Sequence, residues 1–151
     1  MEGSFEEINV LIDAERKDLI PHYASEGASG ADVRANIEED VTIKKGETFL
    51  VPTGVRYAVP AGYEIQVRPR SGLAFRNGIT VLNTPGTLDS DYRGELKVIL
   101  INHGGEDFVI TPGMRVAQIV VAPVVKACFL EESDLKVTLR GENGFGHTGT
   151  H

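Results

Sequence analysis

Short runs of β-branched and apolar residues recur along the chain, and each is cut off by glycine, proline or another turn residue within a few positions. Runs at 8–12, 41–43, 48–51, 64–67, 79–82, 95–102, 108–110, 115–121 and 135–139 predict strands. In ELKVILIN the alternation is clear: Leu96, Val98 and Leu100 share one face and Lys97 lies opposite, the period of a half-buried strand. Lys45-Gly46, Pro60-Ala61-Gly62, Pro85-Gly86, Gly104-Gly105 and Pro112-Gly113 mark the turns between runs. Regular spacing of short strands predicts an all-β fold of barrel or jelly-roll type. Helix is confined to one short turn in SGLAFRNG, with Ser71 as N-cap and Gly78 as stop.

The last stretch, RGENGFGHTGTH, differs in kind, being glycine-rich with Phe145 as its single large apolar residue. Such a composition cannot bury a core, so the chain reads as one domain: a β barrel over 1–139 and a flexible arm over 140–151. A length of 151 residues fits that single domain, and 41% hydrophobic with 25% charged residues is ordinary for a soluble protein.

Charge and cysteine content narrow the function. A formal net charge of −7 argues against sequence-independent nucleic-acid binding, which leaves a basic footprint. A small polyanion remains accessible if local arginines or a divalent cation offset the repulsion. No apolar run approaches the ~20 residues needed to span a bilayer. The acidic opening MEGSFEEINV lacks the order of a signal peptide, and the single Cys128 suits a reducing compartment, so the expected location is the cytoplasm.

Five segments could carry chemistry, and each has a plain structural alternative. TPGTLDSDYRGE places Asp89, Asp91, Tyr92 and Arg93 beyond a Pro-Gly turn. It reads as a polar hairpin rim, or as a carboxylate emerging from packed structure beside an aromatic ring able to face a sugar. VRPRSGLA joins Arg68 and Arg70 to Ser71-Gly72 at the helix start, either a capped helix with solvated arginines or a phosphate cradle. ASGADVRA offers Asp32 among small residues, and a structural turn is its simplest reading. In PGMRVAQIVVAPV, Gln118 interrupts an apolar strand; it is satisfied within the core or by a ligand. In the arm, Gly144, Gly146 and Gly149 match GxGxxG without the strand-to-helix context of a dinucleotide fold. Arg140 and Phe145 could instead meet phosphate and base if the arm folds over a nucleotide, and a disordered tail is the alternative.

In this order and spacing the five segments resemble the motifs of the trimeric dUTPase family, over residues 28–149. The third motif is the most specific, with Asn83, Gly86, Asp89, Tyr92 and Gly94 in register. The resemblance implies a jelly-roll-like barrel that forms a homotrimer with active sites between subunits. It implies hydrolysis of dUTP to dUMP and pyrophosphate, which keeps uracil out of DNA and supplies dUMP for thymidylate synthesis. Asp89 takes the role of the base that activates water against the α-phosphorus. Substrate binding falls on Arg70, Ser71 and Gly72 (phosphates), Asn83 with Gly86 and Thr87 (uracil hairpin), Tyr92 (deoxyribose), Gln118, and Arg140, Phe145 and Gly146 of the arm. Asp32 supports the site through water near Mg²⁺, which substrate phosphates and water hold without direct protein ligands. Neither a stable nucleic-acid complex nor a membrane is expected.

One departure from the family pattern is Asn143-Gly144 in place of paired glycines; Asn tolerates left-handed backbone angles. A dCTP deaminase of related fold needs a glutamate three residues before Asn102, where this chain has Ile99. A nucleotide-sensing regulatory protein would keep the fold and lose the chemistry, but Asp89 and Arg140 are both present.

Overall fold

In β9 (Glu95–Asn102), Leu96, Val98, Leu100 and Asn102 are buried, while Glu95, Lys97, Ile99 and Ile101 face outward. That alternation holds through most of the chain and decides its layers. The computed structural model describes residues 4–146, 148 and 149. The remaining strands are β1 (Leu11–Ala14), β2 (His22–Tyr23), β3 (Ala31–Arg34), β4 (Val41–Ile43), β5 (Thr48–Ala58), β6 (Tyr63–Arg68), β7 (Ile79–Val81), β8 (Gly86–Leu88), β10 (Phe108–Ile110) and β11 (Arg115–Pro123). One short helix, α1 (Ser71–Asn77), links β6 to β7.

Pairing is antiparallel throughout the ladders. One sheet runs β1-β5-β9-β7, a second runs β2-β3-β11-β6-β8, and β10 and β4 form a separate ribbon. Val51, Val55, Val98 and Leu100 of the first sheet and Val33, Ile65, Ala117 and Ile119 of the second belong to one buried cluster, to which the ribbon adds Ile43 and Ile110. The result is the all-β, jelly-roll-like fold that the spacing of short strands predicts. Among the described residues, no helix is long and apolar enough to cross a membrane.

Three local expectations need correction. The segment at 28–35 is not simply a turn, because Ala31–Arg34 pairs with β11 and buries Ala31 and Val33. Ser71 is the first helical residue rather than the N-cap; Arg70 holds the cap position in an extended conformation, without a side-chain cap bond. The strand expected at 135–139 does not form: β11 ends at Pro123, and Leu135, Val137 and Leu139 are 84%, 99% and 106% exposed. The alternating segment pairs with none of the described strands. The expected helix stop is present, since Gly78 adopts φ 67° and a Cβ there would collide with the Gly104 backbone. His103 N–H donates to Gly78 O at 2.8 Å, tying the end of α1 to the turn after β9.

Two buried polar side chains have opposite fates. Asn102 Nδ2 donates to Ile43 O at 2.9 Å and Glu106 O at 2.8 Å, and its Oδ1 accepts from Gly104 N–H at 2.8 Å. The Tyr57 hydroxyl is buried without a hydrogen-bond partner among the described residues, and burial raises its pKa, so it stays a protonated donor. In urea unfolding, Asn102→Ala should therefore lose about 2–4 kcal/mol, because it strands three backbone groups. Tyr57→Phe should leave stability unchanged or raise it by about 1 kcal/mol. A large loss in Tyr57→Phe would show that the hydroxyl has a partner after all.

Candidate functional site

The outer face of the five-stranded sheet carries the polar residues that alternation excludes from the core. Asp32 of β3 stands opposite Gln118 of β11, which stands opposite Arg68 of β6, and His22 of β2 completes the row beside Asp32. Beyond Arg68, Pro69 and Arg70 lead into α1. Gln118 Nε2 donates to Pro69 O at 3.0 Å, which fastens β11 to the start of the helix segment. A Cβ on Gly30 would run into Gln118 Oε1, so a glycine is required there for the amide to lie as it does.

Asp32 lies between two guanidinium groups. Its Oδ1 is 3.4 Å from Arg70 Nε and its Oδ2 is 3.5 Å from Arg115 Nη1. Arg70 Nη1 also donates to Arg115 O at 3.3 Å. Arg70, Arg115, Asp32, Gln118 and the Ser71-Gly72 pair thus form one cluster, cationic on balance within an acidic protein. Arg115 is the member that sequence reasoning missed. Its signal was present in PGMRVAQ, but a position three residues before Gln118 on a regular strand would face the other way.

A second cluster occupies the loops around β8 (GTL). Gly86 and Leu88 are buried and Thr87 is exposed, so Asp89 emerges on the exposed side. Tyr92 N–H donates to Asp89 O at 3.1 Å, and Arg93 Nη1 donates to Ser90 O at 2.7 Å and to Tyr92 O at 3.0 Å, closing a tight turn. Tyr92 donates its hydroxyl to Glu95 O at 2.9 Å, and its ring end crosses the place where a Cβ on Gly94 would sit. Asn83 is exposed in the turn before β8; Gly86 would bring a Cβ 3.4 Å from Asn83 Nδ2 and 3.2 Å from Val67 Cβ. Asp89 also lines an open cleft with Glu64, Asp91 and Lys126.

The two clusters do not meet. Thr87 pairs with Gln66 and Leu88 with Ile65, so one further step sets Asp89 abreast of Glu64. Gln118 pairs with Arg68, four residues away along β6, and on the opposite side of that strand. Two strand spacings and four residues amount to about 16 Å. The arm adds nothing within its own chain: Phe145 is fully exposed, and Arg140 Nε donates back to Asn143 O at 2.7 Å. The left-handed angles among the described residues of the arm fall on Gly141, Phe145, Gly146 and Gly149 rather than on Asn143, whose N–H donates to Arg140 O. His147, Thr150 and His151 of the expected arm lie outside the described residues, as do 1–3 of the expected domain.

Among the described residues, no group of three or more His, Cys, Asp or Glu side chains is gathered as a metal cage. One cluster offers guanidinium and amide groups around a single carboxylate, and the other an aromatic ring and several carboxylates.

The chain is 58% identical over 131 residues to the deoxyuridine 5'-triphosphate nucleotidohydrolase of Chlamydia pneumoniae, covering 86% of this chain and 90% of that one. It is 54% identical over 142 residues to the protein of the same name from Fusobacterium nucleatum, covering 94% and 97%. Among solved structures, the dUTPase of Staphylococcus bacteriophage 80alpha with dUpNHpp superposes with a TM-score of 0.79 at 21% identity, covering 94% of this chain and 99% of that one. A mutant dUTPase from phage phi11 of S. aureus, described with a structural Mg(II) ion, gives 0.74 at 18% identity, covering 85% and 99%. The dUTPase family profile matches residues 16–149, spanning both clusters and reaching into the arm, and the chain belongs to that family.

Proposed function

We propose that the protein hydrolyses dUTP to dUMP and pyrophosphate, at sites assembled between copies of the chain. Family membership and relatives bearing that activity in their names support the reaction. The observation that carries the assembly is the gap of about 16 Å between Asp89 and Gln118 on one sheet face. The α- and γ-phosphorus atoms of a triphosphate are only two P–O–P links apart. With backbone positions that far apart, a single nucleotide is poorly placed to present its α-phosphorus to Asp89 and its phosphate tail to Gln118 of the same chain. A closed ring resolves this by supplying the hairpin from one copy and the cradle from another, and a homotrimer is the ring that the family resemblance implies.

In this reading Asp89 takes a proton from water as the water attacks the α-phosphorus, and pyrophosphate leaves. Arg70, Ser71, Gly72 and Gln118 hold the phosphates, so that the attacked centre is fixed rather than free. The uracil lies in the hairpin against Asn83, Gly86 and Thr87. Tyr92 is held by its bond to Glu95 O beneath the sugar, where its ring leaves no room for a ribose 2′-hydroxyl. Arg140, Phe145 and Gly146 close over the nucleotide from an arm that covers nothing at home. Asp32 supports the cradle through the arginines.

The cradle offers guanidinium and amide groups and the single carboxylate Asp32 rather than a carboxylate cage, so Mg²⁺ would enter with the phosphates of the substrate. Bound there, it neutralises triphosphate charge that an acidic chain would otherwise repel. A nucleotide substrate and a single free cysteine fit a cytoplasmic setting. Deamination of dCTP is disfavoured, since position 99 is an isoleucine on the outer face of β9.

Incubation with dUTP, dCTP, dTTP and UTP separately, each with Mg²⁺, should yield pyrophosphate from dUTP alone; ammonia from dCTP, or phosphate from every triphosphate, would reject the reading. Asp89→Asn should retain binding of dUpNHpp and lose roughly 10²–10⁴-fold in turnover; undiminished turnover removes Asp89 as the base. Refolding Asp89→Asn together with Gln118→Ala should restore up to about a quarter of wild-type turnover from two weak parents, as random mixing in a shared-site ring requires. No recovery in the mixture would place the whole site in one chain.

A further inference from the structure

We propose that Arg115 is a further phosphate-binding residue of the cradle, with its guanidinium held beside that of Arg70 by the one carboxylate they share, Asp32. The inference rests on the hydrolase reading above and adds a residue to it.

The backbone carries the first part of the case. On an unbroken strand, Arg115 and Gln118 would face opposite sides of the sheet. In β11 the register against β3 slips: Arg115 pairs with Arg34 and Ala117 with Val33, so two steps on β11 match one on β3. Val116 and Ala117 are consequently both buried, 1% and 0% exposed, and Arg115 emerges on the same outer face as Gln118. A β-bulge that re-aims one side chain towards a polar cluster is a known use of the irregularity. Closing the bulge would send a guanidinium into the core.

Side-chain geometry carries the second part. The Asp32 side chain is only 12% exposed, whereas those of Arg70 and Arg115 are 31% and 43% exposed. The contacts of 3.4 and 3.5 Å are long beside the 2.7–2.9 Å or so of a tight charge-assisted bond. Each guanidinium has five N–H donors. One carboxylate cannot use them all, and two cations against one anion leave a net positive charge facing solvent. The arrangement sets the spacing of the two guanidiniums while keeping donors of both open to a polyanion. Arg70 is further braced by its bond to Arg115 O, so the two arginines are placed as a unit.

The test uses Arg115→Gln, which removes the charge and keeps most of the side chain, and Arg115→Lys, which keeps the charge without the fork. Affinities for dUpNHpp, dUMP and inorganic tripolyphosphate are measured by calorimetry with Mg²⁺, on variants shown by circular dichroism to be folded. Arg56→Ala, on the other sheet, controls for net charge. Arg115→Gln should weaken dUpNHpp and tripolyphosphate roughly ten- to hundred-fold and shift dUMP less than about twofold. Arg115→Lys should fall between Arg115→Gln and wild type, and Arg56→Ala should match wild type. Unchanged triphosphate affinity in Arg115→Gln overturns the proposal, as does an equal loss for dUMP and dUpNHpp. A wild-type protein that binds tripolyphosphate through Arg115 yet leaves dUTP intact would reject the hydrolase reading and keep the inference.

Discussion

The pairing of β11 with β3 on one side and β6 on the other is the constraint on which the rest of the molecule depends. It buries Ala117 and Ile119 against the opposite sheet. By the same alternation it aligns Asp32, Gln118 and Arg68 across three strands on the outer face. A shift of one residue in either ladder would exchange the two faces, putting an amide in the core and aliphatic side chains at the cradle. The register that stabilises the fold is therefore also the register that assembles the polar cluster proposed to hold phosphates. The single place where it slips, at Arg115, adds a cation to that cluster.

Electrostatics follows from this layout. A chain with formal net charge −7 repels a triphosphate at long range, so binding depends on local arrangement. Two arginines from different segments converge on one carboxylate, and the opposite end of the face carries Asp89, Asp91 and Glu64 around an open cleft. The face is thus polarised, cationic where phosphates would rest and anionic where a base would act. Its two ends are separated by about 16 Å along the sheet, which makes self-association part of the proposed chemistry rather than an addition to it.

Much of the fold was legible in the sequence. The strands at 41–43, 95–102 and 108–110 have the predicted bounds, because apolar alternation and turn residues agree there. The helix at 71–77 ends on Gly78 for the reason its sequence suggests. β5 runs on to Ala58, well past the predicted 51, because Pro52 and Gly54 interrupt the pattern without ending the pairing with β9 and β1. β3 was hidden because ASGADVRA is rich in small residues, and its strand identity comes from β11 beside it. The reverse holds at 135–139, where alternation without a partner strand leaves exposed backbone. The site divided similarly: Asp89, Tyr92, Arg70 and Gln118 were named from sequence, while Arg115 was passed over because a bulge cannot be read from a one-dimensional pattern.

The amino-acid order by itself determined the period-two faces, the positions of turns, the set of chemical groups available and their succession along the chain. These are local properties, set by side-chain size, backbone freedom and alternation. Only the tertiary structure decided which of those groups are neighbours. It put Asp32 beside Gln118, joined Arg70 and Arg115 through one carboxylate, and held Asp89 apart from them all. Lateral neighbours in a sheet depend on which strands pair and in what register, and that choice is made by the packing of the whole core.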